Sequence, residues 1–326
     1  MKYLKLFLII LMPAFALTFM LYSFAPVKVE KKSVEIPYGT PTTSIALLLY
    51  KENVLRNPLS FLSIHAVLRS RLEAGEYEFE GILYPWTVYK KISKGERKVY
   101  KVTIPEGSDL YDIAKILESQ LICSSEDFLK YVLSEETARK YSLKTKNMEG
   151  FLFPDTYFFS KNTHPVRVIH EMHQNFLKKT KELREKLSEK NMTLESWVII
   201  ASMIEKETSK PEERPLVSAV IHNRIKKGMK LQIDPTVIYA LKRKGEWKGD
   251  LTLRHLREDD PYNTYYYYGL PPSPICNPGL ESLKAALEPA RVDYLYFVAD
   301  GSGGHYFSRT LREHNRWVRV YRSVRE

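Results

Sequence analysis

The pattern of apolar and polar residues predicts one helix that is apolar on every side. Residues Trp197 to Ile204 are apolar except for Ser202, and Glu-Lys-Glu-Thr follows at 205–208. Thr193 is typical of an N-cap residue, and Pro211 cannot continue a helix. A helix that is apolar all round is normally buried on all sides. The pattern therefore predicts a buried helix that carries carboxyl groups at its C-terminal end.

The two carboxyl groups at that end belong to Glu205 and Glu207. A step of two residues is a rotation of about 200° on an α-helix, so the two side chains leave the helix on different sides. Beside a desolvated wall and at the negative end of the helix dipole, the charged form of a carboxyl is disfavoured. Such a carboxyl stays protonated near neutral pH and can act as a general acid. The spacing does not choose between the two residues, and it is equally compatible with an ordinary solvated helix end.

The residues on either side of this segment predict mostly helices. A helix is expected over 215–227, and Asp234 is expected to cap another helix whose first position is Pro235. Residues 165–190 predict one long, solvated helix with charged flanks. Further elements are expected over 251–260 (a charged helix), 282–287 (a helix) and 294–299 (a buried strand).

A short motif occurs twice in the N-terminal third of the chain. The segment VEIPYG at 34–39 recurs as VTIPEG at 102–107, and an apolar helical pattern follows each copy. Each copy therefore predicts a strand, a Pro/Gly turn and an amphipathic helix. Between the copies, a strand is expected over 72–79 and a short helix over 87–95. Two copies are too few for a solenoid.

An uncharged and mostly apolar run covers residues 6–27, with lysines on both sides. About 20 apolar residues can cross a bilayer as a helix, and Pro13 is tolerable in such a span. Ala14 and Ala16 form a weak signal-peptidase pattern, but the apolar run continues well past them. We therefore expect an uncleaved, single-pass membrane anchor with a short cytoplasmic tail at 1–5.

Composition narrows the classes of partner. The net charge of +11 suits nucleic acid, anionic lipid or an acidic polymer. The sequence contains no helix-turn-helix, zinc or RNA-recognition motif, so no nucleic-acid partner is expected. Cys123 and Cys276 do not make a disulfide framework and lack metal-ligand spacing, so free thiols are expected.

Several segments resemble the signature blocks of one known family, in that family's order. The segments are EGFLFPDTYFF at 149–159, ASMIEKET at 201–208, HNRIKKGMKLQIDPTVIY at 222–239, YNTYYYYGLPPSPICNPG at 262–279 and LYFVADGSGGHYFS at 295–308. They are similar to the YceG-like family, the endolytic murein transglycosylases known as MltG. The resemblance covers the chain from about residue 102 to its C-terminus, and ordered long blocks are far more specific than one short motif.

The resemblance implies an activity and a catalytic residue. The family's essential acid/base is the second Glu of its E-K-E-T block, which falls on Glu207. The implied reaction cleaves the β-1,4 bond between N-acetylmuramic acid and N-acetylglucosamine of nascent peptidoglycan and forms a 1,6-anhydro end. Such a cut would limit or terminate strand elongation, and it requires no metal and no cofactor. The expected partners are peptidoglycan strands, the cytoplasmic membrane and peptidoglycan synthases.

Other residues of these blocks are candidates for binding the substrate. Gln232 precedes the predicted cap at Asp234, where a loop would meet a cleft. Polar and aromatic side chains of this kind can hydrogen-bond sugar hydroxyls or stack on sugar rings. The full set of candidate substrate-binding residues is Gln232, Asn263, Tyr262, Tyr265, His305 and Glu205.

The predicted fold class is α+β. The expected parts are a cytoplasmic tail (1–5), a transmembrane helix (6–27), a small LysM-like α/β region (28–120) and a mixed, mostly helical catalytic domain (121–326). The resemblance implies that the catalytic domain lies on the cell-wall side of the cytoplasmic membrane. The LysM-like region is equally compatible with glycan binding and with a plain spacer.

Three alternatives remain compatible with the sequence. A non-catalytic, peptidoglycan-binding membrane anchor would tolerate the loss of Glu207. A water-using muramidase needs a second carboxylate, for which Asp234 and Asp155 are the candidates. A pyridoxal-phosphate lyase needs a Schiff-base lysine in a phosphate-binding fold, and the predicted anchor places the chain in the wrong compartment for it.

Overall fold

The computed structural model describes residues 2–325, and the chain divides into two compact units. Unit 1 consists of Met1–Lys101 and Phe158–Asn162, and unit 2 consists of Val102–Tyr157 and Thr163–Glu326. Both contain helices and small sheets, so the predicted α+β class is confirmed. The first segment of unit 1 ends at Lys101, so the two copies of the repeated motif lie in different units. The predicted domain boundary at residue 120 stays a prediction.

Unit 1 contains a two-stranded sheet covered by helices. Its elements are α1 (Lys2–Phe24), β1 (Val27–Ile36), α2 (Thr42–Lys51), α3 (Pro58–Leu68), β2 (Gly75–Leu83) and α4 (Pro85–Ser93). Strands β1 and β2 are antiparallel, with Val34 opposite Tyr77 and Ile36 opposite Gly75. These apolar side chains form one buried core with Leu49 and its neighbours on the helices. Alternation along the strands and helical periodicity in α2 thus place the apolar residues on the side of each element that faces this core.

The predicted membrane anchor is not supported. Helix α1 is continuous from Lys2 to Phe24 and includes Pro13. Among the helices of residues 2–325, none combines the length and the apolar character needed to cross a bilayer.

Unit 2 is mostly helical. The helices and strands from residue 100 onward are β3 (Tyr100–Thr103), α5 (Leu110–Ser119), α6 (Ser125–Val132), α7 (Glu135–Lys140), β4 (Thr156–Phe159), α8 (Pro165–Lys179), α9 (Lys181–Glu185), α10 (Leu194–Glu207), α11 (Arg214–Lys226), α12 (Asp234–Lys244), α13 (Leu280–Leu287), β5 (Tyr296–Ala299), β6 (His305–Ser308) and α14 (Leu311–Arg325). Strand β3 pairs with β4, and residues 100–101 and 158–159 of these two strands belong to unit 1. Helix α10 packs against α11, α12 and α13. The indole N–H of Trp197 on α10 donates to the carbonyl of Leu283 on α13 at 2.8 Å.

The repeated motif forms the predicted local structure in both copies. Strand β1 leads to α2, and β3 leads to α5. Gly39 and Gly107 occupy equivalent turn positions with φ of 78° and 76°, a region that side chains other than glycine rarely adopt.

Two predicted helices are wrong in their extent. The long helix over 165–190 is two helices, α8 and α9, and the buried hydroxyl of Thr180 between them donates to the Phe176 carbonyl. One face of α8 is buried, so it is not the solvated helix that was expected. The charged helix over 251–260 is only a 3₁₀ turn at His255–Arg257. A short segment without a buried apolar face gains little from helix formation in water.

Candidate active site

Helix α10 forms where the sequence predicts it. The Thr193 side chain accepts a hydrogen bond from the Ser196 amide at 3.1 Å, and the Ser196 hydroxyl accepts one from the Thr193 amide at 3.0 Å. This reciprocal arrangement satisfies backbone donors at the start of the helix. Every residue from Trp197 to Ile204 is buried, so the prediction of a helix buried on all sides is confirmed. The helix ends at Glu207, and both acids lie in its last turn.

Glu205 is held by the protein. One of its carboxylate oxygens accepts the Gly279 amide at 2.9 Å, and the other lies 3.5 Å from the Arg214 guanidinium. Gly279 is the N-cap residue of α13. The Glu205 carboxylate therefore satisfies a backbone donor at the start of a neighbouring helix, and its side chain is only 7% exposed.

Glu207 has the opposite environment. The residue as a whole is partly exposed, its carboxyl is desolvated by its surroundings, and among the described residues no hydrogen bond or ion pair to this carboxyl is formed. Burial of the carboxyl, followed by the negative charge of Asp234, raises its pKa to about 8, and Arg224 acts in the opposite direction. Its place at the C-terminal end of α10 also disfavours the anion. At neutral pH, Glu207 is therefore a largely protonated carboxyl without a partner in the part of the chain that the structure describes.

Arg224 organises the chain beside Glu207. Its guanidinium donates to the carbonyls of Leu231 and Leu295, each at 2.6 Å, and lies over the Tyr296 ring at 5.2 Å. The same group lies 3.5 Å from the side-chain oxygen of Gln232. Arg224 is 92% buried, since 8% of its surface is exposed. Its charge is thus fixed near Glu207 by hydrogen bonds to backbone carbonyls in the loop before α12 and just before β5.

Gln232 is exposed and has a left-handed backbone with φ of 52°. Such a conformation is uncommon for residues other than glycine and needs support from its surroundings. The Gln232 amide donates to the Thr264 carbonyl at 3.1 Å, and the next amide, that of Ile233, donates to the Thr264 hydroxyl at 2.9 Å. These bonds aim the Gln232 side chain outward instead of into the core.

Asp234 does not cap α12, so that prediction is wrong. The N-cap residue is Ile233, no side chain caps this end, and Asp234 is the first helical residue. Its carboxylate is exposed and accepts a hydrogen bond from the hydroxyl of Tyr265 at 2.5 Å. Burial, this bond and the nearby charges of Asp234 and Glu207 raise the pKa of Tyr265 well above its usual range. Asp234 and Tyr265 therefore lie within electrostatic reach of Glu207.

Asn263 and Tyr262 are directed into the protein. The Asn263 amide group donates to three carbonyls, those of His255, Leu256 and Glu258, and its own oxygen accepts the Tyr265 amide. The hydroxyl of Tyr262 is 2.6 Å from that of Ser273, and its ring lies under the Arg243 guanidinium. The two side chains are 1% and 5% exposed, so they shape the loop that carries Tyr265.

His305 belongs to a hydrogen-bonded group around Glu213. The Glu213 carboxylate lies 2.7 Å from the His305 ring nitrogen and accepts the His305 amide at 2.9 Å. It also accepts the hydroxyl of Thr208, the residue after Glu207, at 3.0 Å. Burial favours a raised pKa for Glu213, but the hydrogen bonds from His305 and Thr208 outweigh it and lower the pKa. No sequence pattern singles out Glu213, because its partner is 92 residues away.

Unit 1 contains a cavity of about 500 Å³ with both polar and apolar lining. Its lining includes Tyr38, which is 93% exposed, and Glu73, whose carboxylate lies 3.2 Å from Arg97 and 3.4 Å from Arg71. These ion pairs compensate the charges at the cavity. Glycan binding by this unit stays a prediction, as does its alternative role as a spacer.

Comparison with known proteins assigns the chain to a family. The model of the YceG-like family matches residues 34–320. The endolytic murein transglycosylase of Bacillus subtilis (strain 168) is 31% identical over 319 residues, which cover 91% of this chain and 87% of that protein. The protein of the same name from Streptococcus pneumoniae serotype 2 (strain D39) is 29% identical, over 93% of this chain and 61% of that protein.

A solved structure agrees with the sequence comparison. The crystal structure of a YceG-like protein from Listeria monocytogenes is 35% identical, with a TM-score of 0.61. The match covers 88% of this chain and 98% of the Listeria chain. The chain described here therefore belongs to the YceG-like family.

Proposed function

We propose that this chain is a lytic transglycosylase that cleaves peptidoglycan within its glycan strands, with Glu207 as the acid and base. The observation that carries the proposal is the Glu207 carboxyl, which belongs to a partly exposed residue, has a pKa raised to about 8 and has no partner among the described residues. Two relatives of the chain bear the name endolytic murein transglycosylase. A protonated carboxyl that no described protein group engages can donate its proton to a glycosidic oxygen. This chemistry agrees with the transglycosylase names of the two relatives.

The reaction needs two proton transfers at one carboxyl. In the first half, protonated Glu207 gives its proton to the oxygen that bridges N-acetylmuramic acid and N-acetylglucosamine, and the bond from that oxygen to C1 breaks. In the second half, the Glu207 carboxylate takes the proton of the muramoyl C6 hydroxyl, whose oxygen closes on C1. The product is a 1,6-anhydro end, and Glu207 returns to its protonated form. No water is consumed.

The charges around Glu207 suit both halves. Asp234 favours the protonated form that the first half requires, whereas Arg224 favours the carboxylate that the second half requires. A pKa near the working pH results from this balance, and acid–base catalysis is most efficient there. We assign to Gln232 and Tyr265, which lie on the same side of the unit, the contacts to sugar hydroxyls and N-acetyl groups.

A water-using muramidase is the second candidate function. It requires a second carboxylate to activate water or to form a covalent intermediate. Asp234 is the acid whose charge acts on Glu207, so it is the residue for that role. Asp155 is less suited, because it is engaged by the Asn175 amide group, the Thr156 amide and Lys179.

Analysis of the products distinguishes the two functions. Purified peptidoglycan is digested by the full chain in water enriched in heavy oxygen, and the new ends are identified by mass spectrometry. We expect anhydromuramic ends without heavy oxygen, and Asp234→Asn is expected to retain product type while shifting the pH optimum downward, since removing the Asp234 charge lowers the Glu207 pKa. Reducing ends that carry heavy oxygen, lost in Asp234→Asn, would establish the muramidase instead.

The cellular setting of this activity stays a prediction. Action on nascent strands at the outer face of the cytoplasmic membrane, together with peptidoglycan synthases, follows from the family resemblance alone. A binding protein without catalysis would leave peptidoglycan uncut in the same digestion, so the product analysis also tests that alternative.

A further inference from the structure

Two surface segments of unit 2 run side by side next to Glu207. The first segment is 230–234 and the second is 264–268. Four contacts along their length join them. The amides of Gln232 and Ile233 donate to Thr264, the Tyr265 hydroxyl donates to Asp234, and the Lys230 ammonium lies over the ring of Tyr268 at 5.1 Å. Residues near one end, Asp234 and Tyr265, lie within electrostatic reach of Glu207. Lys230 and Tyr268 lie at the other end.

The end of these two segments that carries Lys230 and Tyr268 exposes aromatic rings. Tyr266, Tyr267 and Tyr268 are 44%, 44% and 70% exposed. The first two rings meet edge to face at 5.1 Å, and the Tyr267 hydroxyl donates to Asp259 at 2.7 Å. Within residues 2–325, the Tyr268 ring meets no other aromatic ring, and the Lys230 ammonium lies over it. Clustered exposed aromatic side chains mark a binding surface more often than single ones do.

Lys230 supplies an available positive charge. Within the described residues, its ammonium forms no ion pair or hydrogen bond with a carboxylate, and it lies over the Tyr268 ring. A cation over an exposed ring is held weakly. An incoming carboxylate can therefore bind the ammonium while the stem of the lysine stays against the ring.

We propose that Lys230 and Tyr268 form an outer subsite for a saccharide unit that carries an acidic peptide. The Tyr268 ring accepts apolar C–H groups of the sugar or peptide, and the Lys230 ammonium binds a peptide carboxylate. Glu207, Asp234, Gln232 and Lys230 then contact successive parts of the glycan strand, outward from the cleaved bond. This inference rests on the proposed function, and it makes the peptide-bearing strand, rather than bare glycan, the preferred substrate.

The test compares strand cleavage by the full chain on three substrates. The first is native peptide-bearing strands, and the second is the same strands with their peptide carboxylates converted to amides by a carbodiimide and ammonia. The third is strands freed of peptides by an amidase, which leaves only the lactyl carboxylate. The variants are Lys230→Met, Tyr268→Ala and Tyr268→Phe, with Lys226→Met as the control, since Lys226 is an exposed lysine without an ion pair among the described residues.

We expect Lys230→Met to raise KM on native strands by about 3- to 10-fold with kcat unchanged, as for the loss of one exposed charged contact. On amidated and on peptide-free strands, Lys230→Met and the parent protein are expected to have equal KM. Tyr268→Ala is expected to raise KM on native and amidated strands, whereas Tyr268→Phe, which keeps the ring face, and Lys226→Met leave it unchanged.

Two results would overturn the proposal. Equal KM for Lys230→Met and the parent on native strands would show that the Lys230 ammonium does not bind a carboxylate of the substrate. A KM effect that persists on peptide-free strands would assign the carboxylate to the lactyl group rather than to the peptide. If the parent protein cut none of the three substrates, the proposed function would fail first, so the two failures are distinguishable.

Discussion

Glu207→Gln is expected to lower the rate of strand cleavage by about 10³-fold, because glutamine neither gives nor takes the proton that both halves of the reaction need. The loss should appear in kcat, since the amide still fits the space of the carboxyl. Release of soluble muropeptides from purified peptidoglycan measures the rate. The matched control is Glu205→Gln, in which the side-chain oxygen can still accept the Gly279 amide. Equal losses in both variants would show that neither residue has a specific catalytic role.

The same substitution is expected to stabilise the folded state at neutral pH. The Glu207 pKa is raised from its ordinary 4.5 to about 8 on folding, so the unfolded chain ionises first as the pH rises. Stability contributed by the protonated carboxyl is present below about pH 4.5 and is lost progressively towards about pH 8. Glutamine does not ionise and escapes this loss. Chemical unfolding at several pH values should therefore show a gap between Glu207→Gln and the parent that widens with pH, by about 2–4 kcal/mol in total. A constant gap would contradict the raised pKa.

Glu149→Ala is expected to destabilise unit 2 by about 3–5 kcal/mol. The Glu149 carboxyl is fully buried and accepts hydrogen bonds from the Leu110 amide at 3.1 Å, the Tyr239 hydroxyl at 2.9 Å and the Asn277 side chain at 3.0 Å. Alanine leaves these three donors unsatisfied in the core and opens a cavity. Because Tyr239 lies on α12, whose first residue is Asp234, part of the loss should also reach the active site.

Denaturant unfolding of the full chain measures this effect. The matched control is Glu136→Ala, an exposed glutamate on α7 without an ion pair among the described residues, which should change stability by less than about 0.5 kcal/mol. Glu149→Gln should fall between the two, because its amide oxygen can replace one carboxyl oxygen while its nitrogen meets the Asn277 donor. A change below about 1 kcal/mol for Glu149→Ala would mean that water replaces the carboxyl at little cost.

Helix α10 could be predicted from sequence because its signals are local. The cap at Thr193 and the uninterrupted apolar run from Trp197 to Ile204 lie within the helix itself. The segment 251–260 shows the opposite case. Its charged pattern suggests a helix, but the Asn263 amide group binds three of its carbonyls and holds the backbone in another conformation. A side chain beyond the segment therefore decides its structure.

The partners of the site residues could not be predicted, because they come from distant parts of the chain. Asp234 has the sequence features of a cap, yet its carboxylate is taken by Tyr265, which is 31 residues away. The difference between Glu205 and Glu207 likewise depends on Gly279, whose amide is 74 residues from Glu205. Helical spacing separates the two acids, but only the packing of α13 against α10 identifies which one remains unoccupied.

The ionisation of Glu207 tests its proposed catalytic role most directly. Carboxyl resonances of the full chain with isotope-labelled glutamate side chains are followed by NMR as the pH is raised, and the Glu207 signal is assigned by its absence from Glu207→Gln. Glu149 also has a pKa raised to about 8, so Glu149→Gln is needed to assign the second such signal. We predict a midpoint near 8 for Glu207. A midpoint between about 4 and 5, the range of an ordinary solvated glutamate, would contradict its role as the acid that starts the cleavage.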